Sequence, residues 1–205
     1  MEKLILHEYA ASGNCYKIRL TAAHLGIRLE RHEYDIMKGE TRTPEFLTNI
    51  NPLGRIPVLQ AGTRFLPESN AACFYVADGS RLIPEDRFQR ADMLRWMFFE
   101  QYHHEPNIAT LRFWFMYMGV DALSELQRAQ IPAKRLAGDA ALQQMDDHLA
   151  LRNWFVGEEI SLADICLYAY THVAEGGGFD PSLYPAVSQW LARMASHERH
   201  IVMEP

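Results

Sequence analysis

The hydrophobic pattern of this chain changes near residue 80, and this change limits the folds that are open to it. Before that point strand and helix signals alternate. Leu4–Leu6 is a short apolar run typical of a buried strand, and a helical pattern then runs from about Asn14 to the stop signal Gly26. After that point every long pattern is helical. The sequence therefore predicts an α/β domain followed by an all-helical domain.

The first part contains further elements, which short apolar runs and turn residues predict. They are a strand at 28–34, a helix at Thr43–Leu47, a loop at Asn51–Arg55, a strand pair at Pro57–Leu59 and Thr63–Phe65, and a helix at Glu68–Ala77. The predicted order is thus βαβ, then a helix, then ββα. We place this domain at residues 1–79, a linker at 80–86 and the helical domain at 87–205.

The helical part shows two clear signals. One is an aromatic and aliphatic face of a long helix, made by Phe88, Ala91, Leu94, Phe98 and Tyr102; we assign Met93 and Met97 to the core or to a dimer contact. The other is a helix start at Ser161, with Asp164 as the reciprocal acidic partner of the cap and Ile160 and Ile165 as a hydrophobic staple.

Composition excludes several classes of protein. The 205 residues carry a net charge of −6 and no basic stripe, which argues against nucleic-acid binding. The densest apolar stretch, Phe113–Val120, is far shorter than the roughly 20 residues that a membrane helix needs. Three cysteines without a CxxC motif indicate a reducing cytoplasm.

His103 and His104 are adjacent and so face different ways on a helix, and we expect no metal site there.

Three short segments could carry chemistry. Ser12 stands where the first strand meets the first helix, so its hydroxyl could hold an anion such as a thiolate, or could only cap the helix. Pro57 could be an edge residue or follow a cis bond, although most X–Pro bonds are trans. Glu68 and Ser69 begin a helix, where they suit an amino-acid head group or serve as an ordinary cap.

Taken in order, these segments resemble the cytosolic glutathione S-transferase superfamily, in its serine-type theta-, phi- and zeta-like branches. The resemblance rests on Ser12–Arg19, Asn51–Leu59, Glu68–Ser69 and the capped helix at Ile160–Ile165, and it covers about residues 3–200. It implies a thioredoxin-like first domain with a mixed four-stranded sheet. It also implies a homodimer in the cytoplasm, with glutathione as co-substrate and no tightly bound cofactor.

The resemblance also implies residue roles. Ser12 matches the catalytic serine that hydrogen-bonds the glutathione thiolate, and Pro57 matches the cis-proline. The implied glutathione-binding residues are Asn14, Arg42, Arg55, Ile56, Pro57, Glu68 and Ser69. Aromatic side chains suit a flat apolar electrophile, and we expect its pocket between the domains, from Tyr102, His103, Phe113 and Trp114, unless these residues only fill the core.

The expected activity is conjugation of the glutathione thiolate to small apolar electrophiles, as in detoxification. Two alternatives stay open. One is a glutathione-dependent peroxidase or thiol oxidoreductase that uses Cys15, since a thiol at a helix N-terminus can be acidic. The other is a binding or regulatory protein that keeps the fold without the chemistry.

Overall fold

This computed structural model describes residues 3–204. The chain forms two units: the first extends through Ile83 and includes the segment from Glu198 onward, and the second is Pro84–His197. The boundaries predicted from the sequence place that last segment in the helical domain instead. It lies with the first unit because its groups pair there: Glu204 Oε1 lies 2.6 Å from Arg31 Nη1 and 3.0 Å from Arg19 Nη1.

A four-stranded sheet forms the centre of the first unit. Its strands are β1 (Leu4–Glu8), β2 (Glu30–Glu33), β3 (Val58–Ala61) and β4 (Arg64–Pro67), in the order β2-β1-β3-β4. β2 runs parallel to β1, whereas β3 is antiparallel to both β1 and β4. The predicted mixed sheet is therefore confirmed.

Three helices accompany this sheet, and their ends follow from the sequence. They are α1 (Gly13–Leu25), α2 (Pro44–Asn49) and α3 (Ser69–Val76). α1 makes the crossover that a parallel β1–β2 pair requires, and it packs against α3. It ends where Gly26 adopts a left-handed φ of 66° and its N–H bonds back to the carbonyls of the last turn.

The second unit is helical throughout. Its helices are α4 (Arg87–Phe99), α5 (Glu105–Phe113), α6 (Glu125–Leu149), α7 (Leu162–Thr171) and α8 (Pro185–Ala195). Two π-helical turns, Glu100–His104 and Trp114–Met118, flank α5. Within residues 3–204, no helix has both the length and the apolar character that crossing a membrane would require.

α7 is the buried helix of this unit, and its start matches the predicted cap. The carboxylate of Asp164 accepts hydrogen bonds from the backbone N–H of Ser161 at 2.9 Å, from that of Phe155 at 3.1 Å and from Trp190 Nε1 at 3.1 Å. All ten residues of α7 are buried. Asp164 thus joins the helix start to two other parts of the unit.

The apolar face predicted around Phe88 lies on the surface. Phe88 and Phe98 on α4 are 79% and 70% exposed, while the opposite face of the helix buries Met93 and Met97 in the core. Tyr102 is also exposed but lies beyond α4, in the π-helical turn, because the helix ends at Phe99.

Candidate functional site

The N-terminus of α1 is formed by the loop that follows β1. Ser12 is the N-cap residue, and its Oγ accepts a hydrogen bond from the backbone N–H of Cys15 at 3.4 Å. Its own N–H donates to the carbonyl of Tyr9 at 2.9 Å, which closes the loop. Because Oγ acts as an acceptor in the cap, the hydroxyl hydrogen is still able to point toward a ligand. Ser12 can therefore cap the helix and still offer a hydrogen bond to an anion.

Cys15 lies one turn into α1 and has no exposed surface. Its Sγ accepts a hydrogen bond from the backbone N–H of Tyr9 at 3.4 Å. Burial raises the pKa of this thiol to about 12, which outweighs the hydrogen bonds that favour the thiolate. A thiol in this state is protonated at neutral pH and is a weak nucleophile.

The loop before β3 is held by a buried asparagine. Asn51 Nδ2 donates to the carbonyl of Arg55 at 2.9 Å, and Asn51 Oδ1 accepts from the N–H of Leu53 at 3.1 Å. The loop leads into a cis peptide bond between Ile56 and Pro57, as the family resemblance implied. Ile56 and Pro57 directly precede β3, which begins at Val58.

The two arginines among the implied glutathione-binding residues, Arg42 and Arg55, are both exposed. Arg42 Nη1 donates to the carbonyl of Leu53 at 2.9 Å, so Arg42 supports the loop before β3. Gly54 adopts a φ of 62° there, and a Cβ at this position would lie 2.7 Å from Arg42 Nη1. Arg55 is joined to Asn51 through its backbone carbonyl.

Glu68 departs from an ordinary helix cap. It precedes α3 with φ 72° and ψ 110°, and its side chain makes no capping hydrogen bond. Among residues 3–204, it is the one non-glycine residue with a positive φ. Such a conformation is costly for a residue with a Cβ and is concentrated at ligand-binding sites. The geometry favours a ligand-binding role for Glu68 over capping.

Ser69, the first residue of α3, connects this segment to α1. Its Oγ donates to Asn14 Oδ1 at 3.0 Å. It also accepts a hydrogen bond from Lys17 Nζ at 3.5 Å, and the same ammonium donates to Asn70 Oδ1 at 3.2 Å. The structure thus brings the Ser12 segment and the Glu68–Ser69 segment to one place in the first unit.

Two residues of this arrangement, Lys17 and Asn51, were missed by sequence reasoning. Lys17 is fully buried and Asn51 nearly so. For Asn51 a signal was present, because an asparagine before proline favours a turn. For Lys17 there was none, since a lysine in an amphipathic pattern is normally assigned to the solvent-exposed face.

The residues predicted for the electrophile pocket belong to the second unit and differ in exposure. Tyr102 is 79% and Phe113 37% exposed, whereas Trp114 is only 8% exposed. The ring of His103 stacks on Phe99, with centroids 5.3 Å apart, and is itself exposed. The burial of Trp114 supports the alternative that this side chain fills the core.

No group of three or more His, Cys, Asp and Glu side chains within residues 3–204 is arranged to hold a metal ion. The polar groups of the site are hydroxyls, amides, the Glu68 carboxylate, the buried amino group of Lys17, two exposed guanidinium groups and backbone groups at two helix starts. Such groups bind a polar, charged organic molecule by hydrogen bonds and electrostatic attraction.

The fold and this site define a class: a thioredoxin-like domain joined to an all-helical domain. The family model for the glutathione S-transferase N-terminal domain matches residues 2–78, and that for the C-terminal domain matches residues 108–198. The solved structure of a glutathione S-transferase from Pseudomonas fluorescens is 44% identical, with a TM-score of 0.91, and the match covers 98% of each chain. The chain belongs to the cytosolic glutathione S-transferase superfamily.

Curated relatives carry two kinds of name. Glutathione S-transferase 2 of Anopheles gambiae is 29% identical over 190 residues, which are 90% of this chain and 87% of that protein. Elongation factor 1-gamma of Artemia salina is 31% identical over 176 residues, 83% of this chain. The match covers only 39% of that longer protein. Family membership therefore does not by itself define the activity.

Proposed function

We propose that this chain is a glutathione transferase that joins the sulfur of glutathione to a carbon atom of a small apolar electrophile. The observation that carries the proposal is the hydrogen bond from Ser69 to Asn14, which links the starts of α1 and α3. One helix start suits the thiolate of glutathione and the other suits its γ-glutamyl carboxylate, because both ends carry a partial positive charge.

The proposed roles follow the chemistry of each group. The hydroxyl of Ser12 donates a hydrogen bond to the glutathione sulfur, which lowers the pKa of the thiol and holds the thiolate. The backbone of Ile56, fixed by Pro57, pairs with the cysteinyl unit. Glu68 accepts from the γ-glutamyl ammonium, and Ser69 holds its carboxylate. Asn14 orients Ser69.

Arg42 and Arg55 are proposed to attract the glycine carboxylate, and Tyr102, His103 and Phe113 to contact the electrophile. In the reaction, the thiolate forms a bond to the electrophilic carbon while the leaving group departs with its electron pair. Holding the two reactants together supplies most of the acceleration. We also propose a reducing, cytoplasmic location, since the three cysteines are free.

A homodimer is proposed from the exposed side of α4. Phe88 and Phe98 present large rings to solvent, and exposed apolar side chains on one helix are typical of protein interfaces. A second copy of the chain would remove these rings from water.

Of the two alternative functions, thiol–disulfide chemistry at Cys15 has the weaker support, because the thiol is buried and its pKa is raised to about 12. A binding protein without turnover is the stronger alternative, since one relative is named as an elongation factor.

Calorimetry with glutathione tests the proposal. We expect saturable binding to the wild type and clearly weaker binding to Ser69→Ala, with Ser196→Ala, an exposed serine of the second unit, as the matched control. Conjugation of an activated aryl chloride, followed by absorbance, then tests turnover. Absence of glutathione binding to the folded wild type would refute the proposal, and binding without turnover on any electrophile would favour the binding-protein alternative.

A further inference from the structure

Lys17 occupies an unusual position for a lysine. It lies on α1 with no exposed surface and is among the largest fully buried side chains of the chain. Removing an ammonium from water is costly, and an unbranched apolar side chain such as methionine could fill similar space between α1 and α3 without that penalty. What lysine adds at this position is a positive charge.

The amino group of Lys17 lies next to the first two residues of α3. The Nζ atom donates to Asn70 Oδ1 at 3.2 Å and to Ser69 Oγ at 3.5 Å. Because an ammonium can only donate, Ser69 must accept this bond through a lone pair, and its own hydrogen is directed elsewhere. In this structure that hydrogen points to Asn14. A ligand oxygen could receive it instead if the Asn14 amide turns so that its Nδ2 donates to Ser69 Oγ, which keeps the two residues joined.

The distances limit how far a bound anion could be from this charge. Lys17 Nζ lies 3.5 Å from Ser69 Oγ, so a carboxylate oxygen that accepts from that Oγ at about 2.8 Å lies no farther than about 6.3 Å from Nζ. At that separation, and away from bulk water, two opposite charges attract far more strongly than they do on a protein surface. The carboxylate therefore gains affinity from Lys17 without a direct contact.

We propose that Lys17 is a positioning and specificity-determining residue, whose buried charge selects ligands with a carboxylate at the γ-glutamyl end. This inference rests on the proposed function, since it concerns the same site. Lys17 orients the Ser69 hydroxyl and supplies the opposite charge, while Ser69 and the backbone at the start of α3 make the contacts.

The test compares two ligands on four proteins. The ligands are glutathione and 4-aminobutanoyl-cysteinyl-glycine, which lacks only the glutamyl α-carboxylate. The proteins are the wild type, Lys17→Met, Lys17→Gln and the control Lys3→Met. Lys17→Gln keeps a hydrogen-bond donor near Ser69 and Asn70 but removes the charge. Lys3→Met removes one charge from an exposed side chain. Affinities are measured by calorimetry, and folding is checked by circular dichroism.

We expect both Lys17 variants to lose about tenfold or more in affinity for glutathione, and less than about twofold for the ligand without the carboxylate. The control should match the wild type with both ligands. Equal losses for the two ligands would show a merely structural role and overturn the inference, as would no loss for either, or loss of the fold in both variants. If the wild type itself does not bind glutathione, the proposed function fails instead.

Discussion

Ser69 and Asn14 lie 55 positions apart in the chain and are joined by a hydrogen bond of 3.0 Å between Ser69 Oγ and Asn14 Oδ1. The bond connects the first turns of α1 and α3. If both turns bind parts of one ligand, a change at either residue alters the orientation of the other. Asn14 and Ser69 should then act as a unit in ligand binding.

A double-mutant cycle tests this coupling. Asn14→Ala and Ser69→Ala should each weaken glutathione binding, and the double variant should lose less than the sum, with a coupling of about 0.5–1 kcal/mol. The reason is that either substitution alone removes the same hydrogen bond. Calorimetry on the four proteins gives the value. Strictly additive losses would mean that the two residues bind the ligand independently.

Cys15 should be unreactive in the folded protein. A thiol whose pKa is raised to about 12 carries almost no thiolate at pH 8. We expect a disulfide reagent such as Ellman's reagent to modify the native protein slowly and the urea-unfolded protein rapidly. Cys15→Ser should keep its transferase turnover within about threefold, since the thiol takes no part in the proposed reaction. Loss of turnover in a folded Cys15→Ser variant would instead support the alternative that the protein is an oxidoreductase that uses Cys15.

Asp164 should make stability depend on pH in an unusual direction. Burial raises its pKa to about 6, whereas the unfolded value is near 3.9. Between these values the folded state binds more protons than the unfolded state, so the contribution of Asp164 to stability falls as pH rises from about 4 to about 6.

Asparagine at position 164 resembles the protonated acid, so Asp164→Asn provides the comparison. The free energy of unfolding of the wild type, relative to this variant, should decline by roughly 3 kcal/mol at most across that pH range. Urea unfolding at several pH values measures the difference. A difference that grows with pH would mean that the hydrogen bonds to the carboxylate outweigh its burial.

Dimerisation of the chain should depend on the exposed rings of α4. Phe98→Glu places a charge in the proposed interface, where an unpaired charge is strongly unfavourable. We expect a shift from dimer to monomer in analytical ultracentrifugation. The matched control is Leu136→Glu, because Leu136 is also a highly exposed apolar residue, on α6. A wild type that sediments as a monomer would contradict the proposal.

The two carboxylates that pair with Arg19 and Arg31 should contribute unequally to stability, because one is buried and the other is not. Glu8 is fully buried between Arg19 and Arg31, whereas the side chain of Glu204 is 48% exposed. Glu8→Gln removes the buried carboxylate between two guanidinium groups, leaving them their pairs with the partly exposed Glu204, and should cost about 3 kcal/mol of stability.

Glu204→Gln should cost at most about 1 kcal/mol, because water screens an exposed pair. Glu198→Gln serves as the control at an 82% exposed side chain. Urea unfolding checks all three variants, and equal losses for Glu8→Gln and Glu204→Gln would contradict the argument from burial.

The sequence predicted the local features of the fold well. A first helix that starts near Asn14 and stops at Gly26, four strands and a cap at Ser161 all follow from signals within a few residues, and the structure confirms them. The family resemblance added the cis bond before Pro57.

What the sequence left undetermined depends on distant partners. Arg31 and Glu204 are 173 positions apart, so no local pattern could assign the last segment to the first unit. On α4 both faces are apolar, and periodicity alone does not distinguish the face with Phe98 from the face with Met97. The burial of Lys17 likewise follows only from the packing of α1 against α3.

The first unit is not one continuous stretch of chain, since it ends at Ile83 and is completed by the segment from Glu198 onward. A ribosome makes a chain from its N-terminus, and domains generally fold as they emerge. The sheet can form early in synthesis, but the carboxylate of Glu204 reaches Arg19 and Arg31 only after the whole helical unit has left the exit tunnel. The nascent chain must therefore keep its first unit incomplete until the segment from Glu198 onward has been synthesised.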